Sequence, residues 1–308
     1  FSEFRYFVDE NKFAEMHGLE LMIPDLCGVQ HHEAHVASAI TEHSIRGDVI
    51  GVAFDGTGYG SDGCIWGGEF FAGNLRELRR AAHLEYVPMP GGDMAIRQPW
   101  RMAVSYLYKA FGGDIPGKHI ELINRLDKRR LSTVTKMIGG NINSPLASSA
   151  GRFFDAAASL VLSRATAATE AELPVALEKI VERNCYEHYG FGINTKGGVS
   201  IIEISGVIKG IVRDLRDNRA KGYISAKFHN TIAVMICEAA GRIRTKRGSL
   251  RSVALSGGVF QNKYLAKVTR HILEKNGFRV YINTVVNTND SGIPIGQLAI
   301  ANARPLCV

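Results

Sequence analysis

SVALSGGVFQNKYLAKVTRHILEK, residues 252–275, is the stretch on which the fold turns. Ser252 to Leu255 reads as a short apolar strand, Ser256-Gly257-Gly258 as a glycine turn, and Phe260 to Lys275 as an amphipathic helix. Strand, turn and helix in that order form the repeating unit of an α/β protein. Bare backbone and helix N-terminal amides at such a turn suit a nucleotide phosphate. A plain glycine connection is the competing reading of Gly257 and Gly258. Asn262, four residues beyond Gly258, is placed to hydrogen-bond a base or ribose.

The same alternation continues on both sides. Downstream, Val280 to Asn283 predicts a strand and Ile293 to Ala303 a last helix. Upstream, helical spacing covers Leu177 to Tyr189, Val207 to Leu215 and Ser225 to Arg244. The first half opens on a short strand, Leu26 to Gln30, running into a helix from His31 to Ile45. A strand over Val49 to Phe54 is closed by the turn Asp55-Gly56-Thr57-Gly58, and strands over Cys64 to Phe71 and Leu78 to Val87 complete a meander. Helices are then expected over Met94 to Phe111, Ile120 to Leu126, Leu131 to Ile138 and Gly151 to Ala165. The order fits two α/β lobes with a helical insertion. Residues 1–165 would form an N-terminal lobe including the start of the insertion, and 166–308 a C-terminal lobe.

With 308 residues and 45% hydrophobic content the chain can bury a large core. No apolar run approaches the roughly 18–20 residues of a membrane span, and the N-terminal residues lack the pattern of a secretory signal. A cytoplasmic protein without membrane association is expected. The net charge of +7 is spread along the chain. Its basic clusters, Arg76 to Arg80, Lys128 to Arg130 and Arg242 to Arg251, read as solvated faces, because no aromatic residues interleave with them as on nucleic-acid platforms. Five scattered cysteines without a C-x-x-C pair argue against both a disulfide framework and a cysteine zinc site, and predict reduced thiols, with Cys307 exposed.

His31 and His35 stand four residues apart on one predicted helix face, a spacing at which two imidazoles can reach one metal ion. Two surface histidines at chance spacing are the alternative. The H-E-x-x-H register of a zinc protease is absent, since His32 rather than a glutamate follows His31. His32 points to another face and is expected to be buried. Asp55, at the end of an apolar strand, can ligate a metal, and Gly56, Thr57 and Gly58 let phosphate oxygens approach the backbone. An ordinary hairpin turn would explain the same residues. Gly151 opens a helix, and Asp155 one turn on suits a ribose diol, or is simply a residue of the capping region. Asp290 precedes the last helix, where it can cap that helix or complete a metal site. Asp93, Arg97 and Arg101 sit in a dense polar block, and Arg97 and Arg101, on one helical face, could hold a phosphate or carbamoyl oxygen. Trp100 is expected in the core.

Taken together these stretches resemble the C-terminal region of the hydrogenase maturation carbamoyltransferase family HypF, itself similar to the universal tRNA threonylcarbamoyl transferases. The matching segments are GVQHHEAHVAS (28–38), GVAFDGTGYGSDGCIWGGEF (51–70), PMPGGDMAIRQPWRMA (88–103), NSPLASSAGRFFDAAASL (143–160), ALSGGVFQNKYL (254–265) and NTNDSGIPIGQLAIA (287–301). The resemblance implies a two-lobed ATPase fold related to actin and sugar kinases. It implies His31, His35, Asp55 and Asp290 as ligands of a divalent metal, zinc or iron, with magnesium as a possible companion. Gly151, Asp155, Gly258 and Asn262 would be nucleotide contacts, to ATP, AMP or carbamoyl-adenylate. The implied chemistry is carbamoyl transfer to the C-terminal cysteine of a HypE-type partner, on the route to the cyanide ligand of nickel-iron hydrogenase. No segment here resembles the YrdC-like domain that makes carbamoyl-adenylate in the family, so a YrdC-like domain or protein is expected to supply it. Thr169-Glu170-Ala171-Glu172-Leu173-Pro174 departs from the family's Tyr-Glu-Gly-Gln-type stretch. A tRNA threonylcarbamoyl transferase and an actin-like kinase or nucleotide-binding regulator are the alternatives.

Overall fold

The computed structural model describes residues 28–115, 120–248 and 250–304. Its first helix, α1 (His31–Glu42), starts where Gln30 turns its side-chain oxygen onto the N–H groups of His32 and Glu33. The meander follows as β1 (Val49–Tyr59), β2 (Ile65–Asn74) and β3 (Glu77–Leu84), with a short β4 (Val87–Pro88). A helical block comes next: α2 (Met94–Arg97), α3 (Trp100–Phe111), α4 (Glu121–Arg125) and α5 (Lys128–Gly139). After β5 (Leu146–Ala147), Ser149 caps α6 (Ala150–Leu162) through the N–H of Arg152, and α7 (Glu172–Lys179) follows. The hairpin β6 (Gly192–Lys196) and β7 (Val199–Glu203) leads into α8 (Ser205–Arg216) and the long α9 (Lys221–Arg247). The chain closes with β8 (Ser252–Ser256), α10 (Lys263–Lys275), β9 (Arg279–Ile282) and α11 (Ile293–Ala303).

Among the described residues nine strands join one mixed sheet, its main path ordered β6-β7-β3-β2-β1-β8-β9. The meander is antiparallel; β8 then adds parallel to β1, and β7 parallel to β3. Strands from both sides of residue 165 therefore share the sheet. β1 lies inside it, between β2 and β8, and Val49 to Phe54 is a continuous apolar run because both faces are covered. Val49 and Ala53 meet Val36 and Ile40 of α1 on one face. Ile50, Val52 and Phe54 enter the larger core on the other, with Phe70, Trp100, Phe153 and Phe228. Burying one such aromatic stabilises the fold by roughly 1.5–3 kcal/mol.

The α/β class and the meander agree with the sequence. Several details differ for identifiable reasons. Asp55 to Gly58 is not a hairpin turn: β1 runs on to Tyr59, and its register with β2 shifts between Phe54 and Gly58, a bulge. The helix expected over Met94 to Phe111 breaks at Gln98, because the next residue is Pro99. Arg97 and Arg101 therefore sit on separate helices rather than on one face. Leu177 to Tyr189 is not a helix; α7 ends at Lys179 and the chain to Tyr189 is irregular. The β6–β7 hairpin escaped the apolar pattern because its exposed strand carries polar residues. Its signal was Gly197-Gly198, both at positive φ. Of the strand expected over Leu26 to Gln30, residues 26 and 27 lie outside the described residues, and 28–30 are irregular. Cys307 also lies outside them; Cys64, Cys185 and Cys237 are free thiols. Among the described residues no helix is long and apolar enough to cross a membrane.

Candidate metal and nucleotide site

The four residues expected around a metal converge. One donor atom each from His31, His35, Asp55 and Asp290 lies within 4.8 Å of all the others. The Nε2 atoms of both histidines stand 3.2 Å from Oδ2 of Asp55, and 3.6 and 3.4 Å from Oδ1 of Asp290. Strand alternation produces this meeting: Asp55 follows Ala53 by two residues, on the β1 face that packs against α1. Gly58 then runs directly beneath the histidines: a Cβ there would lie 2.5 Å from Cε1 of His32 and 2.8 Å from Cδ2 of His31.

The electrostatics fit a cation. Burial would lower the His35 pKa, but the hydrogen bonds it donates to Asp290 and Asp55 raise it to about 8. Burial would raise that of Asp55, yet its bonds to His31 and His35 hold the carboxyl far below the usual carboxylate range. Two imidazoles and two carboxylates gathered on one point are a donor set for a borderline divalent ion such as zinc or iron(II). His32 is wholly buried, as expected; burial and the neighbouring His31 push it down to about 3.

Asp55 also joins this cluster to a cavity of about 410 Å³, within the range of small-molecule sites. While Oδ2 faces the histidines, Oδ1 accepts the N–H of Gly258 at 3.1 Å. Among the residues expected to hold a nucleotide, Asp55, Gly56, Gly151, Asp155, Gly258 and Asn262 line the cavity, and Asp290 borders it. Gly151 allows α6 to start against β1, since a Cβ there would come within 2.7 Å of the Gly56 Cα. Gly257 does not line it. That residue, at φ +100°, packs so close to β1 that a Cβ would meet the Phe54 carbonyl oxygen at 2.1 Å. Thr57 and Gly58 also lie outside the lining. Asn262 is not within α10 but caps it, accepting the N–H of Leu265.

Asp155 is almost completely buried, with Oδ2 3.1 Å from Nε of Arg152. Burial dominates its titration and raises the carboxyl to about 6, against the charge of Arg152. Arg152 itself was not singled out from the sequence. It was legible only as the one charged residue between Gly151 and Phe153 at the start of an apolar helix. Glu170, Ala171 and Pro174, in the stretch that departs from the family pattern, form part of the cavity wall.

Asp93, Arg97 and Arg101 are not brought to this cavity. Asp93 and Arg97 are exposed at the ends of α2. Arg101 donates through Nε to Gln98, 2.8 Å away, and lies over the ring of the buried Trp100. The three residues thus mark the elbow between two helices.

Comparison with known proteins matches residues 51–297 to the family described as carbamoyltransferase, Kae1-like domain, second subdomain. The carbamoyltransferase HypF homolog of Cupriavidus necator is 32% identical over 303 residues, covering 96% of this chain and 75% of that protein. A solved full-length HypF in a phosphate- and nucleotide-bound form superposes with a TM-score of 0.85 at 37% identity, over 93% of this chain and 45% of that one. The HypF of T. kodakarensis gives a TM-score of 0.79 at 29% identity, covering 95% and 38%. The chain thus spans less than half of either solved protein.

Proposed function

Because this chain belongs to the HypF carbamoyltransferase family, we propose that it acts as a carbamoyl-transfer domain using carbamoyl-adenylate as donor. The acceptor in this reading is the C-terminal cysteine thiolate of a HypE-type partner, and a YrdC-like domain or protein supplies the donor. The observation that carries it is the double engagement of Asp55, with Oδ2 in the four-donor cluster and Oδ1 on the Gly258 loop of the cavity. A metal-binding set and a nucleotide-sized cavity sharing one carboxylate suit a reaction at a phosphate-linked group.

In the transfer, the acceptor sulfur forms a bond to the carbamoyl carbon with the thiolate electron pair. The bond from that carbon to the phosphate oxygen breaks, and AMP leaves with its pair. His31, His35, Asp55 and Asp290 would hold a divalent metal, which supplies positive charge for phosphate oxygens when bound. The protein's own groups bind and orient the nucleotide. Asn262 lines the cavity at the start of α10, and Gly56 and Gly151 leave space for close approach. Solvent is limited on the inner side, where Phe154 forms the wall.

The test is transfer from synthetic carbamoyl-adenylate to a HypE-type protein, followed by mass spectrometry of its C-terminal cysteine. A thiocarbamate adduct is expected. Absence of that adduct together with modification of tRNA would replace this reading with the threonylcarbamoyl transferase, and ATP-dependent phosphorylation of a small metabolite would replace it with a kinase.

A further inference from the structure

We infer that Arg152, acting with the N-terminal turn of α6, receives the phosphate group of the bound nucleotide and stabilises it as the leaving group; this rests on the nucleotide reading above.

Charge balance in the cavity points to it first. Among the described residues its ionisable wall carries five carboxylates, Asp55, Asp155, Glu170, Glu178 and Asp290, against one cation, Arg152. A phosphate entering such a wall meets repulsion unless cations compensate, and the four-donor cluster can compensate only on its own side. Arg152 supplies a fixed positive charge elsewhere in the same cavity.

Hydrogen-bond accounting agrees. The Arg152 side chain is 3% exposed, yet among the described residues its Nε and Nη1 have no hydrogen-bond partner. Asp155 approaches Nε at 3.1 Å, and its Oδ2 likewise lacks a bond of acceptable geometry. Glu170 stands 3.8 Å from Nη2, beyond hydrogen-bond distance, and its side chain is 67% exposed. A buried guanidinium with open donors is costly, and a planar fork matches a phosphate. Glu170 is therefore a loose counter-ion that an incoming anion can displace into solvent.

Position completes the argument. A Cβ on Gly56 would lie 3.4 Å from Nη2, so the guanidinium rests against the residue that directly follows Asp55. The α6 N-terminus adds its positive dipole end, with the Ser149 hydroxyl occupied by the Arg152 N–H. When the carbon–oxygen bond of the donor breaks, the electron pair stays on a phosphate oxygen, and the guanidinium offsets that added charge.

Binding of AMP and of adenosine to the metal-loaded chain, measured by calorimetry, tests this for wild type, Arg152→Gln, Arg152→Lys and Glu170→Gln. Wild type should prefer AMP. Arg152→Gln should cut that preference by about tenfold or more and leave adenosine unchanged, with partial recovery in Arg152→Lys. Glu170→Gln, at an exposed position, should tighten AMP severalfold without affecting adenosine, and it decides the case if Arg152→Gln does not fold. An AMP preference unchanged in both variants, or equal loss of AMP and adenosine, overturns the role of Arg152 while leaving the transfer reading intact. If wild type binds neither compound, the nucleotide reading falls and this inference with it.

Discussion

Nε2 of the buried His229 lies 2.9 Å from Nδ2 of Asn262, and Nδ1 of the same ring lies 2.8 Å from the carbonyl oxygen of Ser225. These contacts fix the tautomer. Nδ1–H donates to Ser225, so Nε2 accepts from the Asn262 amide. Asn262 Oδ1 in turn accepts the Leu265 N–H at 2.8 Å. Both ends of the Asn262 side chain are thereby oriented at the cavity wall. A neutral imidazole is essential to this arrangement, because a protonated one has no lone pair to accept with.

Acid should therefore weaken the fold through His229. Burial pushes its pKa from 6.5 down to about 4, and its ring neighbours are the uncharged Phe154, Phe228 and Tyr264. Since the unfolded chain binds the proton first, the contribution is fully present above pH 6.5 and is lost as pH falls toward 4. It amounts to on the order of 3 kcal/mol. His32, shifted to about 3 by burial and by His31, adds to the slope with the same sign. His229→Gln should flatten the dependence of Tm on pH between 6.5 and 4 without abolishing it. An unchanged slope would show that His229 does not set it.

Glu42, the last residue of α1, should control metal affinity from a distance. Its carboxylate accepts the N–H groups of Thr284, Val285 and Val286 and the side chains of Asn283 and Thr284. Burial opposes ionisation, but the backbone bonds from Val285 and Thr284 bring its pKa down to about 2. The loop so clamped leads to Asp290, so the helix carrying two of the proposed metal ligands also holds the segment carrying another. Glu42→Gln puts an amide donor against those N–H groups. Metal affinity should fall by about 10- to 100-fold, read by competition with a chelator, while far-UV circular dichroism stays native.

Replacing His31 and His35 together by Ala should remove bound metal and retain a cooperative unfolding transition. The Asp55 carboxyl is held low by those two imidazoles, so its pKa should rise in the variant. Unchanged metal content by elemental analysis would defeat the four-ligand assignment.

How far the sequence led depended on where its signals are local. The His31–His35 spacing is a property of one helix and could be read directly. Asp55 and Asp290 lie 24 and 259 positions from His31 and joined it only through family resemblance. β8 pairs with both β1 and β9, and the Gly257 N–H donates to the Thr288 carbonyl, which brings the segment carrying Asp290 alongside the end of β1. The one helical face expected for Arg97 and Arg101 does not form, because Pro99 ends a helix within an otherwise continuous apolar pattern. Arg152 and Glu42 act through burial and through partners distant in sequence, which no spacing reveals.

Two glycine replacements should separate close helix packing from open space. A Cβ on Gly296 of α11 would fall 1.9 Å from the carbonyl oxygen of Ala34, which lies on α1 between His31 and His35. That clash is with backbone, so Gly296→Ala must move one helix against the other. A loss of about 1–3 kcal/mol is expected, together with weaker metal binding as His35 shifts relative to Asp290. Gly241 of α9 has no atom within 4 Å of its virtual Cβ. There Ala removes only the backbone freedom of glycine and should stabilise by about 0.5–1 kcal/mol, with metal binding untouched. Denaturant titration and metal content on both variants check the contrast. If Gly296→Ala loses stability yet keeps full metal affinity, α1 and Asp290 are held together by Glu42 rather than by the α1–α11 contact.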